Sequence, residues 1–406
     1  MEICLVNDTS DDNNWGAKAT SFALRELIGI AGGYVGSTIY QHRISAPHKS
    51  DIKKFSEDLE SAELTSEDRD VLDVAPRSWS EFECSAQRVM CGEIFEEIKT
   101  AINQCDVVLI NGEGCIYDRT RQSRMIYFIA FLAKKYLGKV TALVNHSVVL
   151  NDSILLEIAH HVNPMLDDVV FREPDSALAC QEGHGRIAAD AAYFSPSLSA
   201  ENNTHDVHAK SLKKLLDSTE SFDPMKPYVC VGGGSVYFRG LRPGFDPIPG
   251  LVSLCEKLRQ KVGQVLLTAS SGKDMHLMGS VSQELELPLI KNSASTQQAI
   301  DVLGNAQAYI GARWHPSIFA HIGGVPVIAI SKHTPKMDAF MKQAGMKPVR
   351  FDPFSLESQA EGIVNEVENY IAEGEVFRKK FREGALRLKE LSKENVRVLQ
   401  EYSNYN

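Results

Sequence analysis

The feature that most constrains this chain is an alternation of short apolar runs with amphipathic segments, which occurs twice. In the first stretch the strand-like runs are Ile3–Val6, Val107–Ile110, Val140–Val144 and Val169–Phe171, and helical spacing covers Ala17–Ile28, Ile126–Tyr136 and Ser153–His161. Runs that are apolar throughout belong to strands buried on both faces, so the pattern predicts a parallel sheet covered by helices. From about Ser197 to Pro227 the sequence turns polar, with one short Lys-rich helix candidate. The rhythm then restarts: Tyr228–Val231, Gln264–Thr268, Ala308–Gly311 and Val325–Ile330 read as strands, and Leu251–Lys261, Asp274–Leu285, Thr296–Leu303 and Lys336–Gln343 as helices. The expected organisation is α/β, with an N-terminal domain over 1–200, a second over 225–350, and a tail over 351–406. That tail carries no strand pattern and reads as two long helices, Ser355–Ala372 and Val376–Tyr402. Residues 51–72 are unusually acidic and read as an exposed insertion.

A length of 406 residues exceeds what one hydrophobic core usually serves, in keeping with two or three domains. Forty-three Lys and Arg face 53 Asp and Glu, a formal charge of -10 that disfavours general attraction to nucleic acid or an anionic membrane. Any anionic substrate must therefore be met by a local positive cluster. The 8 cysteines contain no C-x-x-C pair, so reduced buried thiols are expected and no metal site is read. Glu2 stands where a secretory signal needs positive charge, and Met125–Ala133 is far shorter than the roughly 20 residues that span a bilayer, so a cytoplasmic protein is expected. Arg378-Lys379-Lys380 between Phe377 and Phe381 reads as an amphipathic helix docking on the first domain, with peripheral membrane contact as the other reading.

In open α/β sheets, ligands meet the carboxyl ends of the strands, where glycine loops and helix N-termini offer backbone N–H groups. The first such loop ends in Asn14-Trp15-Gly16-Ala17 and opens a helix. The second, Asn111-Gly112-Glu113-Gly114, lacks the third glycine of a dinucleotide fingerprint and precedes Arg119, Arg121 and Arg124, which read either as anion ligands or as a solvated helix start. Gly232-Gly233-Gly234, with Arg239 and Arg242 nearby, admits close backbone approach to a ligand or a tight structural turn. Gly272-Lys273 is followed by Asp274 and lacks the first glycine of a P-loop, and neither H-E-x-x-H nor G-x-S-x-G occurs. The most informative stretch is Tyr309–Ile328, where a strand delivers Arg313 and His315 just past its carboxyl end and a helix begins at once. A cation, a titratable imidazole and a helix dipole are expected to converge there.

These motifs, in this order, resemble the polysaccharide pyruvyl transferase family over most of the chain up to about Gly345. The resemblance rests on Asn14–Ala17, Asp106–Gly114, Val170-Phe171-Arg172-Glu173 with Ser176, Asp190-Ala191-Ala192, and Arg313-x-His315 through Gly324-x-Pro326 with Lys336 beyond. It implies a GT-B-like fold, two Rossmann-like domains facing across a cleft, with C-terminal helices packing back on the first domain. The first domain would be the acceptor side and the second the donor side. The implied chemistry moves a pyruvyl group from phosphoenolpyruvate, a co-substrate rather than a cofactor, to sugar hydroxyls of a glycan or glycan precursor, as in exopolysaccharide or cell-envelope glycan biosynthesis. A nucleotide-sugar glycosyltransferase is the other enzyme class that such a fold would house. Carried over, Arg313 and Arg172 would hold the donor, His315 would move protons, and Lys336 would add charge. Asn14, Gly16, Asn111, Gly112, Glu113, Gly114, Gly233, Gly234 and Asp190 would line the substrates. Glu113 in place of a third glycine, Trp314 at the variable position, and His333 and Pro335 before Lys336 depart from the family pattern.

Overall fold

The computed structural model describes residues 1–53, 73–180, 185–196, 205–216, 222–238, 242–332 and 335–405. It divides into two compact units. The first comprises Met1–Asp11, Thr20–Ala191 and Leu391–Asn406, and the second Asp12–Ala19 and Ala192–Glu390. The chain thus changes unit after Ala191, ahead of the polar stretch, and the short segment Asp12–Ala19 groups with the second unit.

In the first unit β1 (Glu2–Asp8), β2 (Tyr34–Tyr40), β3 (Val107–Tyr117), β4 (Val140–Val149), β5 (Asp168–Phe171) and β6 (Arg186–Ile187) form a sheet in the order β2-β1-β3-β4-β5-β6. All its pairings are parallel. The helices of this half of the chain are α1 (Trp15–Ile30), α2 (Gln41–Ser45), α3 (Phe82–Met90), α4 (Glu96–Asn103), α5 (Arg121–Phe131), α6 (Ser153–Val162) and α7 (Pro174–Ala179). In the second unit α8 (His205–Leu215) precedes β7 (Tyr228–Gly232), β8 (Gln264–Thr268), β9 (Leu289–Ile290), β10 (Tyr309–Gly311) and β11 (Val327–Ala329), again all parallel, ordered β11-β10-β7-β8-β9. Its further helices are α9 (Ile248–Lys261), α10 (Gly272–Leu285), α11 (Thr296–Gly304), α12 (Trp314–Ile322), α13 (Pro335–Gln343) and α14 (Leu356–Ser392), and α15 (Arg397–Tyr405) closes the chain in the first unit.

The strand order marks where each sheet would offer a ligand crevice. In each sheet the chain builds outward from a first strand to one side and then continues on the other, so the direction reverses between β1 and β3, and between β7 and β10. Such switch points leave a crevice at the carboxyl ends of the two diverging strands. Each unit has its own core: Val108, Ile110, Phe128 and Phe131 in the first, Val229, Val231, Leu267 and Ile310 in the second, all at most 1% exposed. A fully buried Val, Leu, Ile or Phe contributes about 1.5–3 kcal/mol, which makes these strands the rigid frame for the loops they carry.

Several expectations are corrected. The strand read as Val107–Ile110 does not end before Asn111 but continues through it to Tyr117, with a register break between Glu113 and Ile116. Arg121 and Arg124 neither face water nor stand open to an anion. Both are buried, Arg121 on Asp51, Asp73 and the Ile44 carbonyl, Arg124 on Asp73 and the Ala75 and Pro76 carbonyls. Cys84 and Cys91 are exposed, whereas the other six free cysteines are buried. The tail breaks at Gly374 (φ 65°, ψ −150°), between the two helices expected, but its second helical stretch ends at Ser392, short of Tyr402, before α15. It groups with the second unit up to Glu390, and only Leu391–Asn406 groups with the first, where the whole tail was expected. Arg239, His333 and most of the acidic stretch, 54–72, lie outside the described residues.

Candidate functional site

The second unit gathers its polar groups at the β7/β10 switch point. Ala312 N–H donates to the Gly233 carbonyl at 3.2 Å, and Arg313 then leaves β10 in extended conformation (φ −105°, ψ 130°) as the residue preceding α12. The Arg313 side chain does not cap α12, and the positive end of that helix's dipole lies beside it. The Arg313 guanidinium donates to Asp274 Oδ1 through Nη2 at 2.7 Å and Nε at 3.2 Å, and to Ser271 Oγ through Nη2 at 3.0 Å. Asp274 is fully buried near the start of α10, and Ser270 Oγ donates to its other oxygen at 2.9 Å.

His315 follows in the first turn of α12, half-buried. It packs on the loop that opens α1. A Cβ on Gly16 would overlap His315 Nδ1, Cγ and Cβ, well inside the 3.0 Å that real Cβ contacts do not breach. Asn14 sets that loop, its Oδ1 accepting from Gly16 N–H at 2.9 Å and Ala17 N–H at 3.4 Å. Trp15 N–H donates to the Ser270 carbonyl at 3.2 Å, and Asn292 Nδ2 to the Asn13 carbonyl at 3.2 Å. Asn14, Gly16, Gly233, Arg313 and His315 are therefore assembled in one unit. Gly233 and Gly234 face protein: a Cβ on Gly233 would lie 2.6 Å from Asp274 Oδ1, and one on Gly234 2.5 Å from Ala312 Cβ. Trp314 is buried with its ring 5.8 Å from that of Phe340 on α13, one turn beyond the half-buried Lys336.

The first unit carries a separate buried polar cluster at the β1/β3 switch point. Asn7, Glu113 and Asn145 all take positive φ (59°, 42° and 55°), which breaks the regular pleat near the end of β1 and within β3 and β4. Asn7 Nδ2 donates to the Asn111 carbonyl at 2.6 Å, Asn145 Nδ2 to Asn111 Oδ1 at 3.1 Å, Gln122 Nε2 to Asn7 Oδ1 at 3.0 Å, and Ala191 N–H to Asn145 Oδ1 at 2.8 Å. Asn111 Nδ2 is buried without a partner among the described residues. Gly112 lies against His146, whose ring a Cβ there would crowd; Glu113 and Gly114 are half-buried at the outer end of the cluster. Arg172 and Asp190 meet as a buried ion pair at 2.8 Å, with Arg172 Nε also donating to Ser147 Oγ at 2.8 Å. To hold a donor, Arg172 would have to leave a buried carboxylate. His146 gives its Nδ1 hydrogen to the Val170 carbonyl at 2.9 Å, and burial pushes its pKa down to about 3, so the ring is neutral.

Sequence reasoning missed Asp274, Tyr309, Asn7, Asn145 and His146. For Asp274 a signal existed: Ser271-x-x-Asp274 is a helix-start pattern, read only as a failed P-loop.

Two all-parallel sheets with helices, each with a switch point, define an α/β protein of GT-B type, and comparison with solved structures agrees. UDP-GlcNAc 2-epimerase from Neisseria meningitidis, solved bound to UDP-GlcNAc, has a TM-score of 0.56 at 12% identity, over 99% of this chain and 100% of that one. The UDP-GlcNAc 2-epimerase of Methanocaldococcus jannaschii gives 0.56 at 12%, over 98% and 99%. A glycosyltransferase from Rickettsia africae ESF-5 gives 0.55 at 12%, over 98% of each chain. No curated protein matches the sequence. The family model for polysaccharide pyruvyl transferase matches residues 36–334, and the chain belongs to that family. The match holds both the Arg313–His315 segment and the Arg172–Asp190 pair, and begins beyond Asn14 and Gly16. Among the described residues no helix is long and apolar enough to cross a membrane.

Proposed function

We propose that the protein transfers the pyruvyl group of phosphoenolpyruvate to hydroxyls of a glycan or glycan precursor, forming a ketal. The observation that carries this reading is the convergence of Arg313, His315 and the N-terminal end of α12 at the β7/β10 switch point, inside the segment that the family model matches. Phosphoenolpyruvate concentrates negative charge on few atoms, which a guanidinium edge and helix N–H groups suit better than a lone ammonium. Arg313 is assigned to the donor's phosphate or carboxylate, and Lys336 adds positive charge.

In the reaction a sugar hydroxyl adds across the enol double bond. Its oxygen bonds to the central carbon, and a proton is delivered to the methylene carbon, making it a methyl. A second hydroxyl then displaces phosphate at the same carbon as the C–O bond to phosphate breaks, and its proton leaves with the phosphate or a base. His315 is assigned the two proton transfers of the addition, taking the proton of the attacking hydroxyl and supplying the one that reaches the methylene carbon, an imidazole being able to give and take protons near neutral pH. The acceptor is assigned to the first unit, whose Asn111–Gly114 segment offers amide and carboxylate groups suited to sugar hydroxyls. In its observed pairing Arg172 supports Asp190 there rather than meeting an anion.

A nucleotide-sugar glycosyltransferase is the second reading, supported by the fold shared with the Rickettsia glycosyltransferase. Phosphate release from phosphoenolpyruvate with a mixed glycan pool tests the first. Calorimetric titration with phosphoenolpyruvate against UDP- and GDP-sugars separates the two: binding of a nucleotide sugar but not of phosphoenolpyruvate overturns the pyruvyl assignment.

A further inference from the structure

The Asp274 carboxylate is a charged group that the donor reading does not ask for. It is fully buried, and it takes two of the Arg313 hydrogens on a single oxygen while Ser270 supplies the other oxygen. Ser271 accepts a third guanidinium hydrogen. Nε and Nη2 are thereby used inside the protein, and Nη1 alone has no partner among the described residues. The surroundings are shaped for this pair. Gly233 has no side chain, where a Cβ would lie 2.6 Å from Asp274 Oδ1, and the Gly232 Cβ position lies 2.6 Å from the Tyr309 hydroxyl. That hydroxyl is itself buried and unpartnered among the described residues.

We propose that Asp274 is a positioning residue for the anion site. It fixes the guanidinium so that only the Nη1 edge meets the ligand, and it offsets the Arg313 charge so that the resting anion is held by geometry more than by net charge. The inference rests on reading the second unit as the donor site. A site that grips the ground state no more tightly than needed, yet keeps its donors aimed at the charge that develops in reaction, favours turnover over binding. Asp274 should therefore weaken anion affinity while raising kcat.

The test uses the full chain with Asp274→Asn, Asp274→Glu and Gly233→Ala. Inorganic phosphate is the binding probe by calorimetry, with kcat and KM for phosphoenolpyruvate from phosphate release and Tm from thermal melts. Asp274→Asn keeps the shape and removes the charge. It should tighten phosphate by about threefold to tenfold, as expected for losing one nearby like charge, and lower kcat about 10- to 100-fold through misalignment. Asp274→Glu should not restore kcat, because Gly233 leaves no space for another methylene. Gly233→Ala, which leaves the charges unchanged, should reproduce the kcat loss without tightening phosphate. A merely structural role would lower Tm and move kcat and phosphate affinity together or not at all, and either result overturns the proposal, as does absence of phosphate binding in both proteins. If Asp274→Asn fails to fold, a wild-type kcat in Gly233→Ala overturns it instead. Wild-type protein that turns over no phosphoenolpyruvate, with phosphate still tightened by Asp274→Asn, would sink the pyruvyl assignment and the kcat claim, and leave Asp274 as the residue that offsets Arg313 at an anion site.

Discussion

Gly16 and His315 are packed so closely that the ring occupies the space where a Cβ on residue 16 would stand. The overlap includes His315 Cβ, so rotating the ring cannot relieve it. In an exposed helix, Gly→Ala stabilises by up to about 1 kcal/mol. Here the steric term should win: Gly16→Ala is expected to lower kcat about 10²-fold by displacing the imidazole, with phosphate affinity little changed. Steady-state kinetics beside calorimetry check this, and an unaltered kcat would mean that His315 does not act from its observed position.

His315→Gln keeps a hydrogen-bonding side chain but cannot shuttle a proton. Turnover should fall by about 10²–10⁴, the usual contribution of a general acid–base group, while donor affinity falls much less. A variant that retains most of its kcat would reassign proton transfer, with Glu113 and Asp190 as the next residues to substitute.

The Arg172–Asp190 pair should be a stability determinant of the first unit. Removing one partner of a buried ion pair strands the other, at a cost of about 3–5 kcal/mol. Arg172→Ala is therefore expected to lower Tm strongly, and Asp190→Asn in the same chain should recover part of that loss by removing the stranded charge. Urea melts of both variants read this directly; equal melting of wild type and Arg172→Ala would rule it out.

Acid should destabilise both units through buried imidazoles. Burial pushes His146 in the first unit and His321 in the second down to about 3, from an ordinary value of 6.5. His146 is enclosed by Phe171 and the Val170 carbonyl near Arg172; His321, bonded to the Tyr193 hydroxyl at 2.9 Å, lies among Phe340, Phe381 and Arg387. The unfolded chain protonates below pH 6.5 while the folded rings stay neutral, so this contribution is complete above 6.5 and is lost as pH falls toward 3. By pH 4.5 each ring should remove on the order of 3 kcal/mol. Melts between pH 7.5 and 4.5 should show this slope, reduced in His146→Gln and His321→Gln. A slope unchanged in both variants would assign acid sensitivity to other groups.

Arg378 on α14 donates to the Ala306 carbonyl at 2.9 Å and the Gly304 carbonyl at 3.2 Å, closing the C-terminal end of α11. Arg378→Ala should lower stability by about 1–2 kcal/mol, and Arg378→Lys should recover only part, a point charge reaching fewer carbonyls. A Tm equal to wild type in both would show that these carbonyls need no such partner.

Much of this arrangement was legible before the fold was seen, because buried parallel strands leave continuous apolar runs and the residues just past them are few. Arg313, His315, Asn14 and Gly16 were singled out that way, and the fold groups them in one unit. β2 was not, because it is an edge strand with Gly36 and Ser37 inside it and a largely half-exposed face. Asp274 and Arg313 are 39 residues apart, so their pairing exists only in three dimensions. The same holds for Arg172, which carries the charge of an anion ligand in sequence and spends it on Asp190 in the fold. Arg378 follows the same logic: its basic run reads by composition as docking on the first domain, and in the fold its guanidinium meets backbone carbonyls of the second unit.

The grouping of Asp12–Ala19 with residues Ala192–Glu390 means that the second unit is not a contiguous stretch of gene. A clone starting at residue 192 would lack the loop that seats His315, and one stopping near 350 would lose the side chain that closes α11. Cutting the coding sequence at its apparent seam would thus yield an incomplete second unit, whereas a circularly permuted or split-complemented chain could keep the pieces together. Inheritance is constrained too: a recombination event that swapped only the later half would bring in His315 without the glycine it packs against, and the two would have to be exchanged as a pair.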